Sequence, residues 1–370
     1  MKSVLLSPAG PFSEVPRSDT LFGAICWGIR LARGEEFLEN VLARFRSGEP
    51  PFLISSAFPM LDETDQESVL LLPKPYVPCL QAGTGEMTDE RLDALRAWQR
   101  IEYVPSSVFS TIVTGAFSDG ELLDGYGHDD GDDTITIGDR TYSCKRQCLL
   151  PSEPDCTRPF RKTERTRNAV NRLTSATDEA LFHRDAVFFP DDAGLHVCVE
   201  GDIETVIDGL SVLQNHGIGG DRSIGYGQFR LDGVEELELP APDGDLFCSL
   251  SLCIPRAEEM DEFLTAGYYE IEPRKGIVEN SLASPDNIWK RRVLALAEGS
   301  ILPRSGNKEE TTERETEADR DTPIAQEEHE RYGCNPIVAD HFEHGVQHYG
   351  YSLPVGIRRE AVNGSTSDRK

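Results

Sequence analysis

Five glycines fall between Gly217 and Gly227, in the run His216-Gly217-Ile218-Gly219-Gly220-Asp221-Arg222-Ser223-Ile224-Gly225-Tyr226-Gly227-Gln228-Phe229. Backbone of this composition either turns sharply or lets a ligand come close. The run follows a helical pattern over Ile203 to Asn215, with Ile203, Val206, Ile207, Leu210 and Leu213 facing inward. Four specific chemistries fail on its residues. Gly220 to Gly225 has the gap of a phosphate-binding P-loop, but Tyr226 stands where lysine is required. A dinucleotide fingerprint needs a third glycine where Arg222 stands, and it follows a strand rather than a helix. A nucleophile elbow around Ser223 needs glycine in place of Asp221. A palm-type pair of metal-holding carboxylates fails because Asp221 is followed by Arg222, which would repel the metals. Two readings stay open: a tight turn between a helix and an edge strand, or a loop whose N–H groups, arginine and serine hydroxyl track a sugar–phosphate chain.

Around this loop the chain alternates strand and helix signals. Residues 2–7 read as a strand stopped by Pro8, and Ser18 and Asp19 offer N-cap oxygens to a helix carrying Leu21, Phe22, Ile25 and Ile29. Gly34 ends that helix, and Phe37, Leu38, Val41, Leu42 and Phe45 outline a second. Residues 51–59 are a strand or loop, 69–72 a strand, and 88–99 a helix capped by Thr88. Residues 238–245 look like a linker, after which Leu246 to Ile254, a helix near 257–265 and Tyr268 to Ile271 restart the pattern. Two halves that each open strand–helix–strand predict an α+β protein built of two units rather than one parallel sheet.

Charge is distributed unevenly. The chain of 370 residues carries 65 Asp and Glu against 37 Lys and Arg, a net −28, and its basic residues are mostly arginine. This composition suggests a folded protein adapted to high salt. Residues 119–133 hold seven carboxylates and no base, which predicts a solvated acidic loop; no Glu closes an EF-hand from Asp129. Residues 309–331 hold ten acids and three arginines and read as a loosely packed insertion. Against this background Lys145 to Arg172 carries eight bases and three acids. Phosphate affinity comes from cations that displace counterions, so this basic stretch is the place for a polyanion, unless its arginines only pair with surface carboxylates. The longest apolar run, Leu21 to Ile29, is far short of the ~20 residues that span a bilayer. Nine cysteines, an odd number, fit reduced thiols, so the expectation is a soluble cytoplasmic protein with no membrane contact.

The segment Gly217 to Phe229 resembles the glycine-rich signature of the RAMP superfamily of CRISPR proteins. Ser18 to Ala24, Leu53 to Pro59 with Leu72 to Pro75, and Arg167 to Thr174 with Leu181-Phe182 and Val187-Phe188 resemble the earlier blocks of one member family. Tyr269 to Val278, Gly299-Ser300 and Tyr349 to Tyr351 are similar to its later blocks. That family supplies subunit four of the type III-A (Csm) interference complex. The resemblance implies two ferredoxin-like, RRM-related domains with antiparallel sheets: residues 1–237 with an acidic insertion near 119–140, then 246–357 with an insertion at 305–331, then a tail at 358–370. It implies a non-catalytic subunit, without cofactor or metal, that holds the repeat-derived 5′ tag of crRNA in antiviral defence. Its partners would be the large polymerase-like subunit and the RAMP backbone subunit. The residues expected at the RNA are Gly217, Gly219, Gly220, Arg222, Ser223, Gly225 and Gly227 of the loop, Arg161, Lys162, Arg165, Arg167, Asn168 and Arg172 of the basic stretch, and Lys74.

Related RAMP proteins include metal-independent endoribonucleases with histidine as acid or base, and His216 beside the glycine loop is the candidate for that alternative. Capping the preceding helix explains it equally well. His344 and His348 stand one helical turn apart near Cys334, but no cysteine pair completes a zinc site.

Overall fold

The computed structural model describes residues 1–62, 68–77, 88–117, 119–129, 132–145, 147–152, 158–170, 173–174, 177–240, 244–278, 289–304, 331–339 and 345–363. The first half opens with strand β1 (Lys2–Pro8), helices α1 (Ser18–Arg33) and α2 (Glu35–Arg46), and strand β2 (Phe52–Leu61). An excursion follows: β3 (Val69–Pro73), α3 (Asp89–Gln99), β4 (Tyr103–Pro105), α4 (Ser106–Val113), α5 (Asp119–Asp124), then β5 (Tyr126–Asp129), β6 (Asp132–Ile137), β7 (Arg140–Lys145) and β8 (Cys148–Pro151). A long hairpin comes next, β9 (Arg161–Val170) and β10 (Thr177–Phe188), before β11 (Ala193–Gly201), α6 (Ile203–Leu213) and β12 (Phe229–Glu236) complete the half.

Strands β12, β1, β11 and β2 lie side by side in that order, each antiparallel to its neighbour. This is the order produced by two interleaved strand–helix–strand units, with α1 crossing from β1 to β2 and α6 from β11 to β12. The same sheet continues through β3, β4, β8, β7, β6 and β5. Every residue of β2 is buried, as a central strand covered on both faces requires. The helices α1 and α6 meet at Gly28 and Gly209: a Cβ on Gly28 would lie 2.2 Å from the Gly209 carbonyl oxygen, so only glycine allows this backbone contact.

The second half comprises β13 (Leu246–Ser249), α7 (Ala257–Ala266), β14 (Ile271–Arg274), β15 (Val293–Leu296), β16 (Ile301–Pro303), β17 (Ile337–Ala339), β18 (Val346–Gln347), β19 (Pro354–Ile357) and α8 (Arg359–Asn363). Its sheets are β16–β13–β19, β14–β15 and β17–β18, all antiparallel. A small cluster around Phe247, Phe263 and Tyr332 fills its own interior, with the Phe247 and Tyr332 rings stacked at 4.2 Å. The main core, however, runs through both halves and includes Leu246, Leu250, Ile301, Tyr349 and Tyr351 beside Phe22, Phe45 and Phe52.

Polar bonds lock this joint. The Tyr349 hydroxyl accepts from the Ile54 N–H at 2.9 Å and donates to the Ile54 carbonyl at 3.3 Å, and the Tyr351 hydroxyl donates to the Phe45 carbonyl at 3.0 Å. Arg274 grips Asp19 with two nitrogens at 2.9 and 3.1 Å. Ser18 accepts from the Leu252 N–H at 3.1 Å while its own N–H donates to the Ser56 hydroxyl at 2.8 Å. These bonds explain one departure from expectation: Arg17 occupies the N-cap of α1, because Ser18 and Asp19 lie inside the helix and serve the other half.

Three other expectations change. The acidic stretch 119–133 is not a loop: it forms α5 and the strands β5 and β6, with Asp133 taking a hydrogen bond from the Tyr126 hydroxyl at 2.8 Å and an ion pair with Arg100 at 2.7 Å. The first strand of the second half stops at Ser249, and the next strand begins at Ile271, leaving Tyr268 with one isolated bridge to Ile301. The basic stretch is itself a strand pair. No helix among the described residues is long and apolar enough to cross a membrane.

The joint makes two measurable statements. Tyr349→Phe leaves both Ile54 groups short of a partner in buried surroundings and is expected to cost about 1–3 kcal/mol, read as a lower urea midpoint with unchanged slope. His348 is 5% exposed, and burial holds its imidazole down to about 4 despite Asp19 nearby, so the 3.6 Å approach of its Nε2 to Asp19 is not an ion pair at neutral pH. Burial alone would raise the Asp19 carboxyl, but hydrogen bonds and charge from Arg274 hold it below its usual value. Between the ordinary histidine value and about 4, the unfolded chain binds a proton that folded His348 refuses, so stability falls with pH across that window. Asp19 adds a further loss below it. His348→Gln is expected to flatten the upper window by up to roughly 3 kcal/mol, measured by urea denaturation from pH 7 to 4.

Candidate nucleic-acid interface

Helix α6 closes with Gly217, whose N–H donates to the Leu213 carbonyl at 2.7 Å and whose φ of 78° is left-handed. The loop then leaves and returns: the Ile218 N–H meets the Gly227 carbonyl at 2.9 Å, and the Gly227 N–H meets the Pro11 carbonyl at 2.8 Å. The glycines divide by what they do. Gly227 lies so close to its neighbour that a Cβ would fall 1.9 Å from the Ile218 oxygen, and at Gly217 it would fall 2.8 Å from the Gln228 amide. These two hold the loop shut. Gly219 and Gly225 need only their left-handed φ, and at Gly220 a Cβ would meet only the Ser13 hydroxyl, at an ordinary 3.7 Å. Between them Asp221 is the one non-glycine with positive φ among the described residues, opening a short turn over Arg222–Ile224. Ser223, Ile224 and Gly225 are exposed, and Arg222 is half-buried. His216 donates its backbone N–H to the Leu213 carbonyl at 2.9 Å and leaves its side chain exposed.

The basic residues stand on the β9–β10 hairpin. Its register pairs Arg161 with Phe188, Arg165 with Arg184 and Arg167 with Phe182. Because side chains alternate across a strand, one face collects Arg161, Arg165, Arg167, Arg184, Phe182 and Phe188 and carries no carboxylate among its described residues. Lys162, Glu164, Thr166, Asn168, His183 and Asp185 fall on the other face, where Glu164 pairs with His183 at 3.0 Å. The guanidinium groups of Arg161 and Arg165 lie over the Phe188 ring at 5.8 and 5.5 Å, and that of Arg184 over Phe182 at 5.7 Å. Each such contact is worth about 0.5–1 kcal/mol at an exposed site and holds the guanidinium in a defined pose.

This arginine face turns toward the glycine loop. Arg167 lies over the Tyr226 ring at 5.0 Å, and Arg184 approaches Asp221 at 3.9 Å. The hairpin base is fixed by two backbone hydrogen bonds, from the Phe12 N–H to the Val187 carbonyl at 2.9 Å and from the Val187 N–H to the Phe12 carbonyl at 2.7 Å, in the same 9–12 segment that holds the loop through Ala9 and Pro11. One short segment therefore sets hairpin and loop relative to each other.

The other expected residues fall elsewhere. Lys74 donates to the Trp98 carbonyl and sits over the Trp98 ring at 4.9 Å, and with Lys162 it lines a separate cleft of about 970 Å³ behind the hairpin. Asn168 is exposed on the face opposite the arginines. Arg172 lies outside the described residues, as do His341, His344 and nearly all of 305–331. Arg184 was not among the expected residues. Its signal was the two-residue period of Phe182, Arg184 and Phe188, readable only once 161–188 is taken as a hairpin. No metal-holding group of His, Cys, Asp or Glu occurs among the described residues.

Comparison with known proteins gives concordant matches. Residues 242–309 match the family described as the CRISPR Csm4 C-terminal domain. The curated protein "CRISPR system Cms protein Csm4" of Thermococcus onnurineus (strain NA1) is 26% identical over 261 residues, covering 68% of this chain and 74% of that one. Its counterpart in Streptococcus thermophilus is 27% identical over 144 residues, covering 37% of this chain and 47% of that one. Among solved structures, a Csm1-Csm4 cassette in complex with pppApA superposes with a TM-score of 0.54 at 20% identity, covering 96% of this chain and 97% of that one. A Csm3-Csm4 subcomplex of the type III-A CRISPR-Cas interference complex gives 0.54 at 16% identity, covering 82% and 92%. A matched C-terminal domain, a relative aligned along most of both lengths and a shared fold agree, and the chain is similar to Csm4 proteins along most of its length.

Proposed function

We propose that this chain is the subunit of a type III-A CRISPR effector complex that holds the repeat-derived 5′ tag of crRNA without cutting it. The observation that carries the reading is the hairpin face of four arginines and two phenylalanines turned onto the glycine-rich loop, whose Gly220, Ser223, Ile224 and Gly225 are exposed. Guanidinium groups bridge phosphate oxygens and stack on bases, aromatic rings take splayed bases, and glycine backbone admits a strand closely. On a surface this acidic, an arginine face without its own carboxylates is what keeps counterions available for release.

The partners follow from the relatives. One solved relative stands in a Csm1-Csm4 cassette and another in a Csm3-Csm4 subcomplex, so this subunit would bridge the large polymerase-like subunit and the RAMP backbone subunit. Both halves would be ferredoxin-like RAMP domains, a reading supported in the first half by the strand order β12–β1–β11–β2. The work would be antiviral defence in the cytoplasm.

Binding of tag RNA is measured from low to molar KCl for the native protein and for Arg165→Ala/Arg167→Ala. Removing two phosphate contacts is expected to weaken binding at least about tenfold at low salt and to flatten the log–log salt slope by about 1.4, at ~0.7 per contact on a single strand. Equal affinity and slope would sink the reading. Gly220→Ala, whose methyl would meet only the Ser13 hydroxyl at 3.7 Å, an ordinary contact, should leave stability unchanged and serves as the probe of close backbone approach. The role as binder rather than nuclease is tested by His216→Ala: repeat RNA incubated without metal should stay intact with both proteins. Cleavage by the native chain that this substitution abolishes would convert the assignment to a RAMP endoribonuclease.

A further inference from the structure

The opposite face of the same hairpin base borders the cleft of about 970 Å³, within the range of sites for small molecules and wide enough for one or two nucleotides. Phe160, Tyr103, Trp98 and Tyr76 provide flat apolar walls. Six carboxylates and three cations line it, so the cleft repels phosphate while leaving a neutral base free to enter. Its deepest acid is Glu298, whose side chain is 10% exposed; it accepts from the Ser56 hydroxyl and stands 3.8 Å from Arg17, which Glu272 shares at 3.2 Å. Nearer the mouth, Glu270 accepts from the Tyr76 hydroxyl at 3.0 Å. In the same lining the Lys162 ammonium gives one hydrogen bond to the Gln147 side chain at 3.2 Å and keeps further donors.

These groups select among the bases. An ionised carboxylate only accepts, so its best partner presents two adjacent donors. Guanine alone does so, with N1–H beside the N2 amine, and its adjoining edge carries the O6 and N7 acceptors that suit an ammonium. Adenine and cytosine set a ring lone pair beside their single amine, and uracil flanks its N–H with two carbonyls. We infer that this cleft takes one splayed guanine base of the bound RNA, its donor edge on Glu298 and Glu270, its O6 and N7 toward Lys162, and its ring against the aromatic walls. The inference rests on the RNA-binding reading and adds to it a point of base selection away from the arginine face, where phosphates are held.

The full-length protein is titrated with a short labelled oligouridine and with versions in which one guanosine is moved along the strand. At one position guanosine should tighten binding about tenfold or more over adenosine, with inosine, which lacks the N2 amine, between them. Glu270→Gln and Glu298→Gln should erase the preference, read as the ratio of guanosine to adenosine affinity at that position within each variant. Because the base substitutions are read on the native protein, the test does not depend on either variant folding. Binding that is strong but the same for every base at every position overturns this inference and leaves the RNA-binding reading standing. Failure of all these strands to bind overturns both.

Discussion

A chain with 65 acids and 37 bases must first prevent its own carboxylates from neutralising the few cations it needs free. The β9–β10 hairpin solves this with the two-residue period of a strand. Glu164 and Asp185 sit directly opposite one another on one face, while Arg161, Arg165, Arg167 and Arg184 share the other with two phenylalanines. A helix carrying the same residues would place Glu164 beside Arg161 and Arg167, each three positions away. Strand geometry keeps them apart at no cost in composition, and the 9–12 segment then aims the protected face at the glycine loop.

Much of this was legible in the sequence, and the reasons are physical. Helices with an apolar stripe, such as α1, α2 and α6, announced themselves because a period of 3.6 residues is hard to mimic. The glycine loop was readable because so many glycines together have few uses. The acidic hairpin β5–β6 was missed because charge dominated its short strands and masked the alternation of Tyr126 and Ile135 with polar neighbours. The N-cap of α1 was misplaced by one residue because Ser18 and Asp19 answer to Leu252 and Arg274, more than two hundred positions away. Propensity has no access to that distance.

The candidate site divides in the same way. Arg161, Arg165 and Arg167 were visible as a basic stretch, but their grouping on one face and the addition of Arg184 depend on strand register. Lys162 of the basic stretch and Lys74 were both expected at the RNA, yet folding sends them to a cleft lined by Glu298 and Glu270. Charge counted along a chain does not report which charges will face one another. Nor did counting distinguish Gly227, which seals the loop against Ile218, from Gly220, where a side chain would have room.

Tyr349 occupies both hydrogen-bonding groups of Ile54, in the middle of a strand flanked by β11 and β3. A tug on the C-terminal half therefore travels straight into the central sheet instead of being absorbed at a hinge. In a larger assembly such a subunit behaves as a stiff bracket: displacing one end displaces the other, and the angle between neighbours attached at opposite ends is set when the polypeptide folds.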